Sequence, residues 1–141
     1  MAGFFGRYQH TVDAKGRIFV PVKFRDKLGQ SFIAAAVLDH CISLYSFEEW
    51  DKLMAGINAM PVSKARDLQR HLSANAAEVE LDAQGRILLP RHLVEYGLLE
   101  RDATVIGAGN HAEIWNAANL TRWESERTDE SWEDLFRELG F

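Results

Sequence analysis

Tyr8, His10 and Val12 alternate with Gln9 and Thr11, the period of a half-buried strand. Asp13 to Gly16 breaks that period. An Asp side chain can bond its own backbone two residues on, and Gly16 can take a positive φ, so a tight turn is expected. Ile18 to Val20 reads as a short buried strand of β-branched and aromatic residues. Pro21 stands where a helix begins, since its missing N–H is an orphan there anyway. Phe24 and Leu28 follow at helical spacing, and Gly29 is the stop. Residues 31–37 and 42–45 predict two more strands around a turn at Asp39-His40. Ser46 with Glu49 three residues later is a capping box, and the helix behind it puts Phe47, Trp50, Met54 and Ile57 on one face. Met60-Pro61 interrupts it. A second helix, about 62–72, carries Ala65, Leu68 and Leu72 at helical spacing.

The order then starts again. Ala77, Val79 and Leu81 alternate with Glu78 and Glu80, and the stretch VDAKGRIFVP at 12–21 returns as LDAQGRILLP at 81–90. Six of the ten aligned positions are identical, among them Asp13/Asp82, Gly16/Gly85 and Arg17/Arg86. A hairpin is expected over 104–115 with its turn at Gly109-Asn110. Asn116 caps a helix bearing Ala117, Leu120 and Trp123. A last amphipathic helix has Ser131 as cap, the stripe Trp132, Leu135, Phe136 and Leu139, and Gly140 as stop. A repeat at this spacing means two copies of one unit. Neither copy, at roughly 45 residues, can cover both faces of four short strands alone. The expected fold is mainly β with short helices (α+β). Its two internal repeats pack into one pseudo-twofold β-barrel-like core, with linker and C-terminal helices added.

Composition adds bounds. A chain of 141 residues, 47% apolar and 26% charged, is an ordinary globular protein able to bury a core without disulfides. The single cysteine, Cys41, excludes an intrachain disulfide and a multi-cysteine metal site. Apolar runs fall short of membrane-spanning length, and Phe4-Phe5 is followed at once by Gly6-Arg7 rather than by a signal segment. A cytoplasmic location is expected. The net charge of −5 hides a gradient: residues 1–30 hold six basic and two acidic side chains, residues 100–141 four and ten. Binding to a polyanion depends on the local field at the contact face, not on the sum.

The candidate chemistry lies in the repeated turns. Asp13 and Arg17, like Asp82 and Arg86, are four apart across a tight turn. A carboxylate that caps the turn and pairs with the arginine fixes how two strands cross, so a structural role is expected for Asp13, Gly16, Asp82, Gly85 and Arg86. The copies differ in charge. Lys15 becomes Gln84, Lys23 becomes His92, Arg25 becomes Val94 and Lys27 becomes Tyr96. A need shared by both copies does not explain four cations in one. A polyanion touching the first copy does, and so does a basic face that is merely solvated. The candidate DNA-contacting residues are Arg7, Lys15, Arg17, Lys23 and Arg25.

Phe4-Phe5-Gly6, DAKGR-I-x-V-P, LYSFEEW at 44–50, AAEVELDAQGRILLP at 76–90 and VIGAGNHAEIW at 105–115 occur in the order found in the MraZ family, which the chain resembles. That family consists of bacterial transcription regulators built from two AbrB-like, swapped-hairpin half-repeats. The likeness runs from about residue 3 to residue 125; the acidic tail after Trp123 adds little. Asp39-His40 departs from the pattern, where Gly more often follows the Asp. The resemblance implies a first repeat over 5–51, a helical linker over 52–75, a second repeat over 76–123 and an acidic C-terminal helix over 124–141. It implies ring-shaped homo-oligomers that bind direct repeats in double-stranded promoter DNA of the division and cell-wall gene cluster, including the family member's own gene, in association with the nucleoid. It carries over Arg17 as the DNA-contacting arginine. It implies no cofactor, no metal, no membrane and no small-molecule substrate.

An enzyme is the first rival. The five histidines, His10, His40, His71, His92 and His111, show no metal-ligand spacing, and Gly107-Ala108-Gly109 belongs to a hairpin rather than a phosphate loop. No nucleophile signature is present. The second rival is an antitoxin-like or other protein-interaction module of the same fold, using the apolar stripe of the last helix.

Overall fold

The computed structural model of the chain describes residues 3–141. The first repeat supplies β1 (Arg7–Thr11), β2 (Arg17–Phe19), α1 (Val22–Leu28), β3 (Ser31–Ala36), β4 (Ile42–Tyr45) and α2 (Phe47–Asn58). After α3 (Val62–Ala74) the second supplies β5 (Ala76–Glu80), β6 (Arg86–Leu88), α4 (Arg91–Tyr96), β7 (Asp102–Gly107), β8 (Ala112–Asn116) and α5 (Ala117–Ser125). The last helix is α6 (Asp129–Glu138).

The repeats exchange their first strands. β1 pairs with β7 of the other repeat, from Arg7↔Ile106 to Thr11↔Asp102. β5 pairs with β3 in the corresponding way, from Ser31↔Glu80 to Ala35↔Ala76. β4 and β8 join the halves at the centre, and the six-stranded sheet runs β1-β7-β8-β4-β3-β5, antiparallel at each pairing. β2 and β6 form a separate antiparallel ribbon with Ile18 opposite Ile87. These two are equivalent positions of the repeat, so the pseudo-twofold axis passes between them. No ladder joins ribbon to sheet. The backbone bonds from Val12 N to Arg101 O and from Leu81 N to Gln30 O carry the β1–β7 and β5–β3 pairings one residue further toward the turns, and Asp13 N to Arg17 O and Asp82 N to Arg86 O close those turns onto the ribbon.

One shared core fills the space between. Ile18, Val20, Phe24 and Phe32 of the first repeat meet Ile87, Leu89, Leu93 and Ile114 of the second, all essentially without solvent contact. Burying such side chains contributes roughly 1.5–3 kcal/mol each. A second cluster, Ala35, Ile57, Ala65 and Leu72, lies under α2 and α3. A third, Cys41, Trp115 and Leu120, seats α5.

Several expectations shift. The first strands lie one residue earlier than their alternation suggests. Half of the Ser46 capping box forms: its hydroxyl accepts from Glu49 N at 3.2 Å, while the Glu49 carboxylate turns to Lys52 and Asn110. Phe47 and Leu68 stay exposed, while Ile57 of α2 and Ala65 and Leu72 of α3 are buried against the sheet and Trp50, Leu53 and Met54 pack partly buried beside them. Thr128, not Ser131, caps the last helix; Ser131 sits at the third helical position and closes a capping box with it. The stripe of α6 is exposed, and Trp132 alone contacts an aromatic of α5, Trp123. Asp39 and His40 both take left-handed conformations, φ 63° and 52°, a two-residue turn suited to the twist of the hairpin.

Candidate nucleic-acid interface

The Asp13 carboxylate organises the first turn. Its Oδ1 accepts from the backbone N–H groups of Lys15 (3.0 Å) and Arg17 (2.9 Å), and its Oδ2 accepts from Arg17 Nε at 2.6 Å. Asp82 repeats the pattern with Gln84 N (2.8 Å), Arg86 N (2.9 Å) and Arg86 Nε (2.9 Å). Gly16 and Gly85 make the reversal possible at φ 89° and 85°. Their carbonyls then accept from Leu89 N (2.9 Å) and Val20 N (3.0 Å), so each turn clips the opposite repeat. Backbone donation from Arg17 and Arg86, ahead of their side chains, holds the Asp13 and Asp82 carboxyls below the usual carboxylate range.

The arginines are not consumed by it. Each is tied through Nε only. Among the described residues, Nη1 and Nη2 of Arg17 and Arg86 meet no hydrogen-bond partner. Alternation along β2 and β6 turns Ile18 and Ile87 into the core and turns Arg17, Phe19, Arg86 and Leu88 to the outer face, where Phe19 and Leu88 are exposed and the two arginines half-buried. The register sets Arg17 beside Leu88 and Phe19 beside Arg86. The outer face of the ribbon is therefore a four-residue square with two guanidinium groups on one diagonal. The sequence around Arg86 points to a structural role; its place on this face makes it a contact candidate as well. Its equivalence to Arg17 was the available signal.

The remaining candidates divide. Lys15 and Lys23 are exposed, the first at the turn tip and the second on α1. Arg25 is half-buried and donates from Nε to Val20 O at 2.8 Å. Arg7 pairs with Glu124 of α5 at 2.5 Å, on the far end of β1 from the turn. Two of the charge differences between the repeats have packing counterparts. Val94, in the place of Arg25, lies against Gly16, and Tyr96, in the place of Lys27, stacks on His40 at 4.8 Å.

Other chemistry is sparse. Among the described residues no group of three or more His, Cys, Asp or Glu side chains could hold a metal ion, and no helix is long and apolar enough to cross a membrane. The Cys41 thiol is buried, and burial, then Glu113 and Asp39, pushes its pKa up, so it is no ready nucleophile.

The family model described as "MraZ protein, putative antitoxin-like" matches residues 4–70 and again 72–139. The chain belongs to the MraZ family. The two matches fall on the two repeats and extend through α6, so the family pattern reaches further into the tail than residue 125. A protein named Transcriptional regulator MraZ from Acetivibrio thermocellus is 46% identical over 130 residues, 91% of this chain and 89% of that relative. One of the same name from Heliobacterium modesticaldum is 41% identical over 138 residues, 96% of each. A third, from Desulfitobacterium hafniense DCB-2, is 43% identical over 128 residues, 89% and 90% of the two chains.

Proposed function

We propose that this chain is a transcription regulator that binds double-stranded DNA in a sequence-specific way through the outer face of the β2–β6 ribbon. A two-stranded antiparallel ribbon fits the major groove, and an arginine can bond O6 and N7 of guanine through two nitrogens. The observation that carries the reading is the pair Arg17 and Arg86. Each is held by an aspartate through Nε, with Nη1 and Nη2 left without a hydrogen-bond partner among the described residues. That is a pre-oriented donor rather than a mobile one, which lowers the ordering cost of binding. Lys15 and Lys23 supply phosphate contacts beside it, with Arg7 and Arg25 reaching the backbone when their internal partners are exchanged. The name carried by the relatives agrees with this reading. The target is the promoter of the division and cell-wall gene cluster, including the protein's own gene, at direct repeats. A ring-shaped homo-oligomer spaces the faces so that weak contacts add by avidity. The protein acts in the cytoplasm, at the nucleoid, without a cofactor.

The test is fluorescence anisotropy on a duplex taken from upstream of the protein's own gene. Arg17→Ala and Arg86→Ala are each expected to cost about 1–3 kcal/mol of binding. An exposed ion pair of this kind is worth about 0–1 kcal/mol, so the melting temperature should move by no more than a few degrees. No binding at low salt, or loss of the fold in both variants with binding untouched by Lys15→Ala, overturns the reading. The exposed stripe of α6 favours a protein partner as a second role, served by a surface separate from the ribbon.

A further inference from the structure

The ribbon's square has a second diagonal that the arginine reading leaves without a role. Phe19 is 41% exposed and Leu88 57% exposed, each at the end of a three-residue strand whose middle residue, Ile18 or Ile87, is sealed in the core. Each has an arginine beside it: Phe19 has the Arg86 guanidinium 5.9 Å from its ring centroid, with the His10 ring 6.2 Å away, and Leu88 is directly across from Arg17. Large apolar side chains held among guanidinium groups make a poor surface for another apolar face, because docking would strand the charges. They suit a partner that presents anionic or acceptor groups and small apolar groups side by side. The major groove of DNA does this, with guanine O6 and N7 beside the thymine 5-methyl.

We propose that Phe19 and Leu88 are specificity-determining residues that contact thymine 5-methyl groups, each beside the base pair read by its cross-strand arginine. The proposal rests on the DNA-binding reading above and adds to it the chemical class of the base pairs read. The two contacts differ in size and flatness, Phe against Leu, so the two halves of the face read non-identical base pairs despite the pseudo-twofold axis. Arg86, with its guanidinium over the Phe19 ring at 5.9 Å, is steadied by the residue that reads the neighbouring pair. Leu88 has no such ring, which leaves Arg17 dependent on Asp13 for its orientation.

The experiment compares two otherwise identical promoter duplexes, one with thymine and one with uracil in every position of the bound segment. Uracil keeps the pairing edge and removes only the methyl. The full-length protein is expected to lose about fourfold in affinity for each methyl contacted, the burial value of one methyl converted to a ratio. Phe19→Ala and Leu88→Ala are expected to weaken binding to the thymine duplex and to shrink its advantage over uracil. Their solution mass and melting temperature should stay those of the parent. If the parent binds both duplexes equally while Arg17→Ala still weakens binding, DNA recognition stands and the methyl contacts are wrong. A change in solution mass on Phe19→Ala or Leu88→Ala makes the face a subunit contact and also overturns the proposal. Absence of binding to either duplex overturns both readings together.

Discussion

The guanidinium of Arg25, in the first repeat, lies on Gly85 of the second. Its Nε donates to Val20 O at 2.8 Å, and a Cβ added at Gly85 would strike its terminal nitrogens. Val94 covers Gly16 in the mirrored place, with its Cγ2 3.5 Å from where a Cβ would stand. Positions 25 and 94 are thus lids over the opposite repeat's turn, one polar and one apolar.

Gly85→Ala should destabilise the protein on two counts. The backbone at φ 85° is left-handed, which costs an L-residue about 1–2 kcal/mol, and the new methyl displaces Arg25. Thermal unfolding is expected to drop by roughly 3–8 °C. Because the two residues touch, Arg25→Ala combined with Gly85→Ala should cost less than the sum of the single variants. A double-mutant cycle by thermal melts reads this directly, and strict additivity would remove the contact from the account.

The turn carboxylates set an acid limit. Asp13 and Asp82 titrate lower in the folded chain than the ordinary value of about 3.9 expected when unfolded. Their contribution is therefore complete above that unfolded value and fades as pH falls through the lowered folded one. Asp82→Asn removes a share of it. The stability gap between parent and variant should be widest near neutral pH and narrow steadily below about pH 4. Chemical denaturation at a series of pH values checks the trend; a gap that widens in acid contradicts it.

Arg7 is held by Glu124, whose carboxylate competes with any phosphate for the same guanidinium. Glu124→Gln should leave stability within about 1 kcal/mol of the parent, since both groups are partly exposed. If Arg7 reaches phosphate, the same variant binds DNA more tightly at low salt, with a salt slope steeper by about one. Anisotropy titrations at several salt concentrations measure the slope, and an unchanged slope removes Arg7 from the contact set.

Much of this was legible in the chain. The repeated DxxGR turns, Pro21 and Pro90 before short helices, and Asn116 as a cap each follow from local backbone chemistry, and each stands where the residues put it. What was not legible is non-local. Nothing in Arg7–Thr11 says that its partner is Asp102–Gly107 rather than the strand that follows it. Arg25 reads as a free cation until the opposite repeat brings Gly85 under it. Arg86 reads as structural until the strand register sets it on the same face as Arg17. The stripe of α6 carries a clean helical period and still finds no core, because periodicity reports an amphipathic face and not what covers it.

The exchanged strands have a consequence for how this face can change over generations. An axis between Ile18 and Ile87 is the symmetry that two separate half-chains would have as a dimer. In such a dimer every substitution appears twice, so a lysine gained at one turn is gained at both. Tying the halves through α2 and α3 makes the pair an obligate heterodimer encoded once. One turn can then hold Lys15 while its twin holds Gln84, and one half of the ribbon can present Phe19 while the other presents Leu88. Covalent linkage frees a two-sided surface to read a one-directional message.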